Sequence, residues 1–183
     1  MKNTPISLQP SPWVERCVAL IPPGGTVLDI ACGAGRHTEF FNGAGYQVTA
    51  IDRDISRLIL HAGIEVVEAD LEGRNPWPLP RRAFDGVVVT NYLYRPLFPV
   101  LIDSLNSGGV LIYETFAAGN EQLGRPRNPD FLLDDGELLD ALVGKMSVII
   151  YEAGRIDDPA PAIVQRVAAV KSRTERPAIP PPA

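Results

Sequence analysis

The residues able to do chemistry in this chain stand at the ends of short apolar runs. Asp29 lies inside the run 27–30, which leads into a turn of small residues, Ala31-Cys32-Gly33-Ala34-Gly35. Asp52 closes the run 46–51, Asp70 closes 64–69, and Asn91 follows 84–90. A turn of glycines lets a ligand approach the backbone closely, because glycine has no side chain and accepts unusual dihedrals. A helix starting near Arg36 would add unpaired N–H groups suited to a carboxylate or phosphate. A carboxylate at Asp52, one strand–helix–strand unit past the turn, can accept two hydrogen bonds from a ribose diol. Asp70 can accept from an adenine amino group, and Asp29 can hold the turn and its donors in place. Together these positions describe a nucleotide-type site. Each also has a plainer role: a simple turn for the glycines, a helix cap for Asp52, a solvated loop acid for Asp70.

The elements that must position these residues alternate. Strands are expected over 27–30, 46–51, 64–69, 84–90, 110–116, 146–152 and 163–171. The valines of 84–90 suit a strand buried on both faces. Helices are expected over 13–20, started by Ser11-Pro12; over 37–42; from Asp54 or Ser56 through His61; over 96–106; and from Asp134 to about Val143. Asp134 followed by Glu137 resembles a capping box. The segments 73–82 and 117–128 read as loops, with the N-terminal segment as a third covering element. The alternation predicts an α/β fold: an open, mainly parallel sheet with helices on both faces. No helical pattern separates the last two strands, so they form an antiparallel hairpin at the edge. One domain over 1–173 is expected, with a proline-rich tail, 174–183, expected to be disordered.

Composition narrows the functional classes. The chain has 183 residues, 45% of them hydrophobic, and a formal net charge of -5. That suits one domain with a sizeable core and disfavours nucleic acid as a partner. No apolar run reaches membrane-spanning length and 1–12 has no apolar signal core, so a soluble cytoplasmic protein is expected. Cys17 and Cys32 have neither metal-ligand spacing nor a disulfide framework, and no metal site is expected. The turn lacks the Gly-Lys-Ser/Thr ending of a phosphate-binding loop. Gly33-Ala34-Gly35 is followed by Arg36-His37-Thr38, so the third glycine of a dinucleotide fingerprint is missing, which weighs against an NAD(P)-dependent oxidoreductase.

From Trp13 to Arg173 the sequence resembles the class I S-adenosylmethionine-dependent methyltransferases. VLDIACGAGRHT is similar to their first motif, Asp52 falls where they bind the ribose, and Ser107-Gly108-Gly109 matches the turn before their fifth strand. The resemblance implies a seven-stranded Rossmann-like methyltransferase sheet of order 3-2-1-4-5-7-6, with strand seven antiparallel. It implies S-adenosyl-L-methionine as cofactor, held by Asp29, Ala31, Cys32, Gly33, Gly35, Arg36, Asp52, Arg53, Asp70, Leu71 and Asn91. Asn91, Tyr92 and Tyr94 are the acceptor-side candidates, and His37 is a candidate base. Size and the CGAGRHT turn look most like the tellurite-resistance type and related small-molecule methyltransferases. The chain has Asn91-Tyr92-Leu93-Tyr94 where amino-methylating relatives acting on DNA or glutamine carry Asn-Pro-Pro-Tyr. A small-molecule acceptor is therefore expected, with a thiol or chalcogen anion slightly favoured. A protein of this fold that binds cofactor without catalysis is the alternative.

Overall fold

The computed structural model describes residues 9–59, 61–73, 75–171 and 178–182. Its first helix shows how local chemistry sets an element. The Ser11 side chain accepts from the Trp13 N–H, and Pro12 fills the first helical position, where an N–H would have had no partner. Helix α1 spans Pro12–Cys17 and tightens into a 3₁₀ turn, Val18–Leu20, ahead of Pro22-Pro23. There follow β1 (Thr26–Ile30), α2 (Arg36–Gly43), β2 (Gln47–Asp52), β3 (Ile64–Glu68), β4 (Phe84–Thr90), α3 (Phe98–Asp103), β5 (Leu105–Phe116), α4 (Glu137–Asp140), β6 (Ser147–Ile156) and β7 (Ala162–Val170).

The strands form one seven-stranded sheet of order β3-β2-β1-β4-β5-β7-β6. Strands β1 to β5 pair in parallel, and β7 runs antiparallel to both β5 and β6. This is the sheet that the alternation of elements and the family resemblance predict. Val87, Val88 and Val89 of β4 are fully buried, as a central strand covered on both faces requires. One core layer holds Leu28, Ile30, Val87, Val89, Leu101 and Tyr113; the other holds Trp13, Val14, Val27, Phe41, Val88 and Ile112. The alternation of β1 and β4 residues between the layers is the period-two signature of a strand with two buried faces.

Three helices differ from expectation. No helix occurs among the described residues of 53–63; Asp54 instead accepts from the backbone N–H and hydroxyl of Ser56, spending its capping capacity on a local turn. The segment expected as a helix over 96–106 is a 3₁₀ turn, Arg95–Leu97, followed by α3, and Leu105 already belongs to β5. Leu105 pairs with Phe84, and the next pair is Gly86 with Val110, so β5 bulges outward between them. The Asn106 side-chain amide ties that bulge to Asp85 at 2.9 Å. The expected helix from Asp134 to Val143 is reduced to α4. Half of its capping box is present: the Asp134 N–H donates to Glu137 Oε2 at 2.8 Å.

The loop 117–128 contains a 3₁₀ turn, Asn120–Gln122. Of the proline-rich tail, Ala178 to Pro182 lie beside α1, where the Pro180 carbonyl accepts from Arg16 at 3.4 Å; 172–177 and 183 lie outside the described residues. Among the described residues no helix is long and apolar enough to cross a membrane.

Candidate active site

Beyond Ile30 the backbone leaves β1 abruptly. Ala31 takes φ +52°, Gly33 +59° and Gly35 +81°. The bend is hooked to the neighbouring strand: the Cys32 N–H donates to the Ile51 carbonyl at 3.0 Å, and the Gly33 N–H donates to Asp52 Oδ2 at 2.8 Å. Asp52 Oδ1 accepts the Asp54 N–H at 3.0 Å. The two glycines are needed for different reasons. A Cβ on Gly33 would meet nothing within 4 Å, so this position faces open space; a Cβ on Gly35 would lie 2.6 Å from Leu58 Cδ2.

Asp29 supports the bend from below. It is 2% exposed, and its Oδ2 accepts from the Thr38 hydroxyl at 2.6 Å, tying β1 to the first turn of α2. Burial pushes its carboxyl up from 3.8 to about 6, against the pull of the Thr38 hydrogen bonds and Arg36. Cys32 is buried, and desolvation pushes its thiol well above the ordinary range, so it packs as a small apolar residue.

Two cavities lie along this end of the sheet. The first, about 440 Å³, sits over β1, β2 and β3. Asp52, Arg53, Asp70 and Glu72 give it polar edges, while Ala31, Leu71, Tyr92 and Phe131 give it apolar surfaces. The second, about 460 Å³, lies beyond β4 and β5. Arg36 and Asn91 border it on the side of the bend, and Ser11, Glu114 and Phe116 contribute from α1's entry and β5. The loop residues Asn120 and Leu123 and the β6–β7 connection around Pro159 to Pro161 close it further. Asn91 and Tyr92, adjacent in the chain, face one cavity each, so the two spaces adjoin there. Asn91 adopts φ +55°, with its N–H fixed to the Glu114 carbonyl at 2.9 Å. A left-handed asparagine at a strand end is the kind of local strain that functional sites retain.

The expected residues thus divide. Ala31, Asp52, Arg53, Asp70, Leu71 and Tyr92 line the first cavity, and Arg36 and Asn91 the second. Asp29, Cys32, Gly33 and Gly35 shape the bend between them. Two expectations need correction. Tyr92 and Tyr94, expected to meet the acceptor, stand on the β3 side, away from the second cavity. Tyr92 lines the first cavity, where burial, then the charge and hydrogen bond of Glu72, push its phenol well up. The Tyr94 hydroxyl accepts from the Gly73 N–H at 3.1 Å.

His37 is also unavailable as a base. It is 2% exposed; its Nε2 accepts the Ser11 N–H at 3.1 Å, and its Nδ1 lies 3.3 Å from the Thr90 hydroxyl. The Ser11 bond fixes the tautomer: Nδ1 carries the proton and donates to Thr90. Burial, then Arg36, push the imidazole down to about 3. Trp13 is buried in the core between Arg16 and Arg166, and Trp77 packs at the core's edge, so neither lines the second cavity.

Sequence reasoning passed over Ser11, Glu114, Phe116 and Phe131. Glu114 had a visible signal: it is the lone charge in the apolar run 110–116, two residues from Phe116 and therefore on the same strand face. Its Oε1 accepts from the Ser11 hydroxyl at 2.7 Å, and its Oε2 accepts from Arg166 Nη1 at 3.2 Å. Phe131 is held by Arg95, which donates to the carbonyls of Asp130 and Leu132 at 2.9 Å on either side of it, and in a fork to Glu137.

Residues 6–140 match the methyltransferase domain family. The chain belongs to that family. A comparison with curated proteins gives no match. Among solved structures, TehB from Haemophilus influenzae is 20% identical, with a TM-score of 0.67 over 87% of this chain and 61% of that one. The chain thus spans less than two thirds of the Haemophilus protein. An S-adenosylmethionine-dependent methyltransferase from Mesorhizobium loti is 18% identical, with a TM-score of 0.70 over 90% of this chain and 100% of that one. A 1,6-didemethyltoxoflavin-N1-methyltransferase from Burkholderia thailandensis, solved with 1,6-didemethyltoxoflavin and S-adenosylhomocysteine, is 17% identical, with a TM-score of 0.61 over 91% and 79% of the two chains. These likenesses establish a shared class I methyltransferase fold.

Methyltransferases with this sheet draw their methyl group from S-adenosyl-L-methionine, and the residues here fit that molecule. Gly33 faces open space at the bend, where a side chain would project toward a ligand seated there. The first cavity presents the carboxylates of Asp52 and Asp70, able to accept from hydroxyl or amino groups, beside the apolar faces of Leu71 and Phe131.

Proposed function

We propose that the protein transfers the methyl group of S-adenosyl-L-methionine to a small-molecule acceptor by direct in-line displacement. The observation that carries this reading is the pair of adjoining cavities: a nucleoside-sized space edged by Asp52 and Asp70, and a second space starting at Arg36 and Asn91. The cofactor, when bound, supplies a methyl group already activated by its positively charged sulfur. This chain then has to position and exclude rather than activate.

Asp52 accepts the ribose hydroxyls. Its two oxygens each already hold one backbone N–H, which fixes the carboxylate's orientation before any ligand arrives. Asp70 and the backbone of Leu71 meet the adenine, with Phe131 and Tyr92 covering its faces. The glycine bend receives the methionyl part, and Arg36, at the start of α2, pairs with its carboxylate. Asp29 holds the bend through Thr38. Asn91 marks the border across which the acceptor approaches. The loop 117–128 and the β6–β7 connection keep water from that border. The Burkholderia relative, solved with a small heterocycle and S-adenosylhomocysteine, supports a small acceptor.

Calorimetric titration with S-adenosylhomocysteine tests the reading. Binding is expected, and Asp52→Ala weakens it by about 10²-fold, the loss of two hydrogen bonds to a charged group. Absence of binding by the wild-type protein overturns the proposal.

A further inference from the structure

We infer, building on the methyltransferase reading, that the second cavity takes a compact, largely apolar primary or secondary amine, whose N–H is held by the carboxylate of Glu114. The floor of this cavity is the sheet itself. Glu114 and Phe116 lie on one face of β5, and Val164 of β7 pairs with Phe116 across the ladder. With Leu123, Ile156 and the proline turn after β6, the walls are mostly apolar.

Glu114 is 7% exposed and is the one carboxylate among the described residues of that lining. A carboxylate offers about four acceptor positions. Ser11 and Arg166 occupy one on each oxygen, so acceptor capacity remains at the floor of an apolar space. A ligand that brings a donor can use that capacity, whereas a ligand with acceptors alone cannot. Of the cationic side chains that border the cavity, Arg36 stands at the glycine bend, where the cofactor's carboxylate belongs, and Arg125 is exposed at the mouth.

Arg166 shares the charge of Glu114 through Oε2, so the discrimination at its remaining lone pairs is by donor: a thiolate or a carboxylate acceptor brings none. A phenol could donate to Glu114, but methylation of a phenol ends neutral, whereas methylation of an amine leaves positive charge on nitrogen beside Glu114. The step balances as follows. An ammonium gives up one proton to water, and a remaining N–H of the neutral amine donates to the Glu114 carboxylate. The freed nitrogen lone pair forms the N–C bond as the methyl–sulfur bond breaks. Sulfur leaves as a neutral thioether, and the positive charge moves to the methylated nitrogen.

The test uses the full chain. Titration with S-adenosylhomocysteine comes first; if it does not bind, the methyltransferase reading and this inference both fail. The loaded protein is then titrated with aryl-alkyl and cyclic amines and with matched phenols, thiols and carboxylic acids. Transfer of labelled methyl to the same panel is measured in parallel with S-adenosylmethionine.

Amines are expected to bind and to be methylated. Glu114→Gln should weaken their binding and lower kcat/KM by about tenfold to hundredfold, with S-adenosylhomocysteine affinity unchanged. Ala162→Leu fills the cavity from β7, outside the Ser11–Glu114–Arg166 set. It should raise KM for amines without changing cofactor affinity, and it keeps the test open if the Glu114 variant does not fold. S-adenosylhomocysteine binding with a preference for thiols, phenols or carboxylic acids, or amine turnover untouched in both variants, overturns the amine inference and leaves the methyltransferase reading standing.

Discussion

Replacing Asp29 by Asn isolates the electrostatic tension beneath the glycine bend. Burial, the largest influence, raises this carboxyl from 3.8 to about 6. The folded protein therefore holds the Asp29 proton more tightly than the unfolded chain does. The sign follows: the stability contributed by this group is fully present below pH 3.8 and is lost as pH rises through about 6. The whole shift of about two units corresponds to about 3 kcal/mol. Roughly 2 kcal/mol of that is lost between about pH 4.5 and about pH 7.5.

Asparagine does not ionise, and its side-chain oxygen still accepts from Thr38. The difference in unfolding free energy between Asp29→Asn and wild type should therefore move by about 2 kcal/mol in the variant's favour across that interval. Urea denaturation at the two pH values, followed by circular dichroism, measures it. The other titrating groups cancel in the comparison. A difference that stays constant, or moves toward the wild type as pH rises, would refute the claim that Asp29 is charged at the expense of the fold.

Other outcomes follow from the same geometry. His37 is lowered from 6.5 to about 3, so the stability of its neutral burial is present above pH 6.5 and is lost as pH falls toward 3. Its imidazole should stay neutral by NMR at about pH 5; a titration midpoint near the unperturbed value of about 6.5 would contradict this. Gly35→Ala combines a left-handed φ of +81° with a 2.6 Å approach to Leu58 Cδ2 and should destabilise the protein by about 1–3 kcal/mol in denaturant titrations. Gly33→Ala adds its methyl to open space and should cost about 1 kcal/mol, yet strongly weaken S-adenosylhomocysteine binding; unchanged affinity would show that the cradle lies elsewhere. Arg95→Ala frees the carbonyls flanking Phe131 and breaks a part-exposed fork to Glu137. It should cost about 1 kcal/mol and weaken the same ligand severalfold, with unchanged affinity separating Phe131 from the nucleoside.

Much of the architecture was legible because buried parallel strands write themselves as uninterrupted apolar runs, and 84–90 is such a run. The end of each strand was legible too, since Asp52, Asp70 and Asn91 break those runs at the edge of the sheet where the two cavities lie. Helix lengths were harder to read. Asp54 carried a cap signal that a two-residue turn consumed, and the glycines at 108 and 109 hid a bulge that let β5 begin at Leu105. The second cavity was the least legible part. Its lining comes from α1's entry, β5, the loop 117–128 and the β6–β7 hairpin, whose proximity only the assembled sheet creates. His37 misled for the same reason: motif position placed it beside the cofactor, whereas the Ser11 N–H, arriving from 26 residues away, sealed it in.

A structure of the protein with S-adenosylhomocysteine bound tests the central claim most directly. The account predicts ribose hydroxyls on Asp52, adenine beside Asp70 and Leu71, the amino-acid end over Gly33 toward Arg36, and the sulfur facing the space in front of Asn91 and Glu114. The same molecule seated away from the bend, or lying with its sugar remote from Asp52, would contradict it.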